Sequence, residues 1–465
     1  MNASMTTSRQ IVHARFPLVL RHVLYNLRGG FLVRPLLIAL FLGALGATLA
    51  WLEAEAPWLS AWGPHLFFPP HADPQVAQLI LGDIAEATMT VVSIVFAILL
   101  MTLTLASMQF SPRIILGFAR DRVTQWTLGV FLGTFCYCMA ALPSARSMPA
   151  PFVPVATVQG AMFLALACVA WLLFFIHHIS LAIGVNQIVD KIAGETERMI
   201  DEVMPNPCGP SPVAPQESPD VTGWDSVIRS ELSGYIRYVD ARELVRLAKE
   251  FHVKVEVLRR VGHFVPAGVP LLRVYKGERI SPAVRAACLK AFDLGPSRTL
   301  QQDVEFGILQ IVDIALKAIS PAVNDPSTAI SCVDQLSRIL IRCAGRRKPD
   351  TVLYDPPAVV RVVMPWLGFA QLLESAFEQI RLYATGDVAV SLRLLRALGD
   401  IASSTTDPER HRLLVEHGRR IVTGCSARLS EDELRGLRLR LATLERLPAG
   451  ASPPGAQLRE APRAS

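Results

Sequence analysis

Charge is scarce in this chain. Asp, Glu, Lys and Arg make up 18% of its 465 residues, against about a quarter in ordinary soluble domains. Apolar residues reach 51% and the mean hydropathy is +0.36. A wholly soluble protein fits this balance poorly; a membrane protein with a substantial soluble part fits it well. Paired cysteines are missing too. The eight cysteines include no CxxC pair, so neither a disulfide framework nor a zinc site follows, and a reducing compartment suits the soluble part. No P-loop, G-x-S-x-G, H-E-x-x-H or dinucleotide fingerprint occurs. Enzymatic chemistry therefore has the least support, and neither a cofactor nor a metal is expected. The net charge of +6 raises nucleic acid as a partner, but no binding motif for it appears. The arginines gather beside apolar runs instead, as cytoplasmic loops of membrane proteins require.

Four runs are long and apolar enough to cross a bilayer core, which takes about 20 helical residues. They cover about 31–52, 83–108, 124–142 and 155–180. The first begins too far from a small-residue cleavage site to be a signal peptide, so it reads as a retained span. One more absence sets the orientation: residues 53–83 contain no Lys or Arg, and the loop after the third run has only Arg146. The N-terminal flank and the loop between runs two and three, which holds Arg113, Arg120 and Arg122, are basic. The positive-inside rule then places both termini in the cytoplasm, with Trp58 and Trp62 in an aromatic belt on the outer side. The basic loop reads as a topology signal, with anionic lipid or the soluble part as a binding alternative.

The expected organisation is an α-helical membrane domain of four transmembrane helices followed by a cytoplasmic α+β region. In detail, residues 1–30 form a basic cytoplasmic N-terminus and 31–180 the membrane domain. Residues 181–203 form a helix leaving the membrane, and the proline-rich segment 204–223 a linker. A small β-rich domain is expected over 224–300, a helical bundle over 301–447 and a disordered tail over 448–465. Within the β-rich part, the stretch Gly262–Leu271 resembles the hairpin turn of lipoyl-type and barrel-sandwich domains. No lysine stands there to be modified.

Two constellations stand out. In run two, Asp83, Glu86, Thr90, Ser93, Thr104 and Ser107 recur at spacings that place them on one face of a helix. Such a face is costly against lipid. It serves either small-residue helix packing with hydroxyl hydrogen bonds or a hydrated path with two carboxylates at its outer mouth. The second constellation is the corner "ISPAVNDPSTAIS". Pro321 ends one helix, Asn324 or Asp325 caps the next, and Pro326 fits its first position. The same Asn324, Asp325, Ser327 and Thr328, with Asp303, Glu305 and Asp313 nearby in sequence, could also hold a small ion or ligand.

The stretches "SMQFSPRII", "LGVFLGTFCYCMAAL", "SGYIRYVD", "GHFVPAGVPL" and above all "FGILQIVDIALKAISPAVNDPSTAISCVDQL" together resemble a bacterial family called domain of unknown function 2254, made up of predicted membrane proteins. The resemblance runs in order along nearly the whole chain. It implies four N-terminal spans, a cytoplasmic C-terminal region and residence in the bacterial inner membrane. It implies no activity. The expected function is channel- or transport-like with a cytoplasmic regulatory domain, and the alternative is a membrane-anchored sensor or scaffold. The expected partners are the lipid bilayer and further copies of the chain.

Overall fold

Glycine decides how the first helices meet. In the computed structural model, α1 (Val33–Glu55) lies along α3 (Arg122–Ala141) with almost no space between the backbones. A Cβ on Gly46 would stand 2.6 Å from the Tyr137 carbonyl oxygen, and one on Gly133 would stand 2.5 Å from Leu42 Cδ1. Gly129 and Gly133 form a small-xxx-small stripe, the usual device for close helix approach where lipid removes the hydrophobic drive between helices. The structure describes residues 33–56, 73–109, 122–145, 152–182, 184–205, 224–355 and 359–447. The basic N-terminus, Trp58, Trp62, Arg113, Arg120, Arg146, most of the proline-rich segment and the tail lie outside them.

The described chain falls into two compact units, divided after Thr104 and again after Ile179. The first contains four helices long and apolar enough to span a membrane: α1, α2 (Pro74–Gln109), α3 and α4 (Val155–Ala182). Several polar groups inside this unit are matched, whereas Gln125 Oε1 and Gln159 Nε2 have no partner among the described residues. Glu53, fully buried near the end of α1, accepts hydrogen bonds from the amides of Ala156 (2.7 Å) and Thr157 (3.0 Å) and from the Thr157 hydroxyl (2.8 Å). The carboxylate thus satisfies exposed amides in the first turn of α4. Tyr137 Oη donates to the Thr157 carbonyl at 3.0 Å, and Gln78 Nε2 donates to the Ala145 carbonyl at 2.6 Å. An apolar cluster including Leu81, Ala85, Tyr137, Val158 and Ala161 packs α2 against α3 and α4.

One boundary departs from expectation. Asp73 caps α2 through the Gln75 amide (3.0 Å) and Pro74 takes the first position, so the helix starts nine residues before Asp83. Asp83 and Glu86 therefore stand about 14 and 18 Å along the helix axis from Pro74, not at its mouth.

The second unit opens with α5 (Val185–Val203), an amphipathic helix burying Ile188, Val189, Ile192 and Ile200. Two sheets follow. A five-stranded sheet has the order β1 (Trp224–Arg229), β5 (Pro270–Tyr275), β3 (Lys254–Val257), β8 (Val359–Val363), β7 (Val352–Asp355). A three-stranded sheet has the order β4 (Phe264–Val265), β2 (Gly234–Val239), β6 (Phe292–Gly295). Helices α6 (Ala241–Glu250) and α7 (Pro282–Lys290) are interleaved with these strands. All strand pairs are antiparallel except β3 with β8. The sheet core is built on Ile228, Val255, Leu271, Leu272, Val274 and Val362.

Two expectations are corrected here. The stretch 262–271 is not a hairpin turn: β4 pairs with β2, and β5 pairs with β1 and β3, so the chain changes sheets across it. Gly268, at φ +82°, supplies the turn and hydrogen-bonds Ser230. The region beyond residue 300 is not helical throughout, because β7 and β8 complete the five-stranded sheet. Otherwise it consists of α8 (Val304–Ile319), α9 (Pro326–Ala344), α10 (Phe369–Tyr383), α11 (Val388–Ser404), α12 (Pro408–Cys425) and α13 (Glu431–Arg446). Helix α5 packs on α8 and α9. There Arg338 bridges Asp190 (2.8 Å) and Glu197 (2.5 Å), and Arg342 grips Asp201 through two bonds of 2.8 and 2.7 Å.

Candidate functional site

The polar face of α2 points away from the other three helices. The side of α2 that packs inward is apolar or small, with Ala77, Leu81, Ala85 and Val95 buried, and Thr88 hydrogen-bonding its own helix. Asp83, Glu86, Thr90, Ser93 and Thr104 are all exposed. At about 100° per residue they occupy an arc of about 80°, which also contains Ala97 and the exposed apolar side chains of Leu79 and Met101. The side chain of Ser107 lies outside the described residues. Small-residue packing within the chain is thus not what this line of residues does; the glycines of α1 and α3 do that.

The hydroxyls and the carboxylates on this line differ in what they need. Thr90 donates to the Glu86 carbonyl (3.0 Å), Ser93 to that of Met89 (3.1 Å) and Thr104 to that of Leu100 (2.8 Å). Such bonds to the preceding turn satisfy the hydroxyl proton and leave oxygen lone pairs free to accept from water. Neither Asp83 nor Glu86 makes a hydrogen bond or ion pair with any described residue. An acidic side chain at the centre of a spanning helix costs about 2.5–3.5 kcal/mol on insertion scales. Both lie within the apolar stretch Pro74–Thr102, so a lipid-facing α2 would bear that cost about twice over.

The Asn324–Thr328 corner is a helix cap. Asn324 takes the left-handed conformation at φ +49°, which Asn tolerates better than most residues, and its amide donates to the Ser320 carbonyl at 2.9 Å. Asp325 accepts the Thr328 amide at 3.1 Å and the Thr328 hydroxyl at 2.6 Å, so both of its oxygens are engaged. Those hydrogen bonds hold its carboxyl below the usual range. Ser327 is exposed in the first turn. Asp313 sits in α8 six residues before Ile319, about 9 Å of helical rise from the corner, and is not among the partners of Asp325. Arg122 is the exposed first residue of α3. Among the described residues, no group of three metal-ligating side chains comes together.

Asp303 and Glu305 do not join the corner but meet two arginines in a largely buried charge cluster that the sequence does not announce. Arg260 meets Glu305 through two bonds of 2.9 and 3.2 Å. Arg298 grips Asp303 through two bonds of 2.8 and 2.9 Å and reaches Glu305 at 2.9 Å. Ser375 of α10 donates to Glu305 at 3.1 Å. Burial by itself would raise the Glu305 carboxyl. The hydrogen bonds and charges of Arg260 and Arg298 more than offset that and hold it at about 2. Gly262, at φ +88°, lies so close that a Cβ there would stand 2.4 Å from Asp303 Oδ2. This cluster ties the β3–β4 loop to α8 and α10. Beside it a cavity of about 40 Å³, lined by Met204, Val239, Arg260, Asp303, Trp366 and Leu372 among others, has room for about two or three waters and for no metabolite.

The comparisons with known proteins agree with this architecture. A family model described as predicted membrane protein (DUF2254) matches residues 28–400. The chain belongs to that family. Its relatives include uncharacterized proteins of Mycobacterium bovis (Mb1321c) and of Mycobacterium tuberculosis strain H37Rv (Rv1290c). Each is 32% identical over 422 residues, covering 88% of this chain and 79% of the relative. No solved structure matches the chain. As a DUF2254 member it is a membrane protein with four candidate spans, followed by a region of helices and mixed sheets.

Proposed function

We propose that this DUF2254 protein is channel- or transport-like, and that the exposed polar face of α2 lines a hydrated route across the bacterial inner membrane. The observation behind this reading is the outward polar line itself: two carboxylates with no partner among the described residues and three hydroxyls share one face of a spanning helix, with Leu79, Ala97 and Met101 on the same face. Water is the surrounding that removes the cost of such a face. The distribution of Lys and Arg supports cytoplasmic termini, which makes the second unit cytoplasmic and its role regulatory. The sensor or scaffold reading is weaker, because Asp325 and Thr328, two of the groups on which it depends, are already engaged with each other in a cap.

A charge on the wall of a wet path attracts small cations. At about 5 Å in water it contributes about 0.8 kcal/mol, a local enrichment of about fourfold. Purified protein in liposomes should pass small cations down a gradient, and Glu86→Ala should reduce that flux about fourfold. Wild-type protein that passes no ion under any gradient refutes the reading.

A further inference from the structure

Among the described residues, a single copy of this chain supplies one wall and no enclosed path. The polar line of α2 lies on the outer surface of the four-helix unit, with nothing from α1, α3 or α4 across from it among the described residues. We infer that the missing walls are further copies of the same chain, arranged in a closed ring with each α2 turned to a central wet axis. This inference rests on the reading of α2 as the lining of a hydrated route and names the partner that completes it.

Three features of α2 select a second copy over lipid or a dry two-fold contact. The arc, polar except for Leu79, Ala97 and Met101, is bordered by apolar side chains on both edges. Ile94 is 53% exposed on one side, while Leu100, Met89 and Phe96 are 52%, 42% and 47% exposed on the other. A helix in a ring needs this order, with polar residues toward the axis and an apolar seam against each neighbour. The carboxylates exclude a dry pair, since a two-fold contact centred on the line would bring like carboxylates together without counter-charge. A ring with water between the lines avoids that repulsion. The same patch also recurs on every copy, so rotation about one axis repeats one kind of contact and closes. A complex with a different protein would need that protein to bring a matching polar helix of its own.

The test uses the full chain in nanodiscs. The mass of wild-type particles should exceed that of one chain and counts the copies, and a bifunctional maleimide should give a covalent dimer with Ser93→Cys, since one added thiol per chain takes part in one link. The same reagent should give no dimer above the wild-type background with Val169→Cys, where α4 is 60% exposed. A monomeric mass, a dimer from Val169→Cys but not from Ser93→Cys, or a cross-link only to another protein overturns the inference. Flux measured on the same preparations separates the two claims. Multimers joined through α2 that pass no ion leave the ring standing and refute the route. Flux from particles of one chain does the reverse.

Discussion

Replacing Glu305 with alanine is the sharpest test of how the second unit is held together. The substitution removes the only carboxylate that both Arg260 and Arg298 contact, and these guanidiniums are only 22% and 15% exposed. Arg298 keeps Asp303, but Arg260 is left without its bidentate partner beside another cation. Breaking a buried pair from one side costs about 3–5 kcal/mol. The lowered carboxyl gives an independent figure. A shift from 4.5 to about 2 corresponds to about 3 kcal/mol, and the two agree. For a unit of this size that is a fall in Tm of about 6–12 °C, read by tryptophan fluorescence or calorimetry on the full-length protein in micelles. The pH dependence has a definite sign. A carboxyl lowered by folding contributes stability that is complete above pH 4.5 and is lost as pH falls from 4.5 toward 2, and Glu305→Ala should abolish that part. The control is Asp432→Ala, which breaks an ion pair to Arg435 whose side chains are 80% and 87% exposed and should shift Tm by a degree or two at most. If both variants melt alike, the cluster is not a structural tie and the reasoning fails.

Two further predictions concern other parts of the fold. His417 is 5% exposed, its Nε2 has no hydrogen-bond partner, and burial lowers its imidazole to about 4 despite the opposing pull of Glu378. The unfolded chain takes up this proton first, so stability is complete above pH 6.5 and falls by about 3 kcal/mol on the way down to pH 4. His417→Leu should flatten a Tm profile over that window, and an unchanged slope would place the titrating group elsewhere. In the first unit, Gly46→Val would drive a methyl-bearing carbon into the Tyr137 backbone, an overpacking that costs about 1–3 kcal/mol or more. Size-exclusion chromatography should show loss of monodisperse protein, while Gly194→Val in α5, where no atom lies within 4 Å of the added carbon, should behave as wild type.

Much of the helical architecture can be read from local chemistry, and the places where reading fails have physical causes. The cap at Asp325–Pro326 belongs to a device used four times among the described residues. Asp73–Pro74, Ser281–Pro282 and Asp407–Pro408 also begin helices with an accepting side chain followed by proline. The first of these marks the true start of α2; hydropathy alone locates the apolar run nine residues later. Strands β7 and β8 are four and five residues long, too short to compete with the surrounding helical periodicity. They are strands because Val255 and Glu256, about a hundred residues earlier, offer a parallel edge to Val362 and Val363. The charge cluster fails for the same reason. Glu305 draws notice in sequence only as a carboxylate near the Asn324–Thr328 corner and Arg260 not at all, and only the folded loop after β3 brings the two within hydrogen-bonding reach. The direction of the α2 polar line was likewise open until the glycine seam of α1 and α3 showed which contacts fill the helix interior.

The strand pair β7–β8 also governs when the sheet can be finished. During synthesis, β1 to β6 leave the ribosome well before residue 363, and until then β3 presents an unpaired edge able to capture another extended segment. The intervening α8 and α9 must emerge, and their hairpin must fold back, before the fourth and fifth strands reach it. A chain truncated near residue 300 is therefore half a sheet with an adhesive border. The β-rich and helical parts of the second unit are made sequentially but can reach the native state only together.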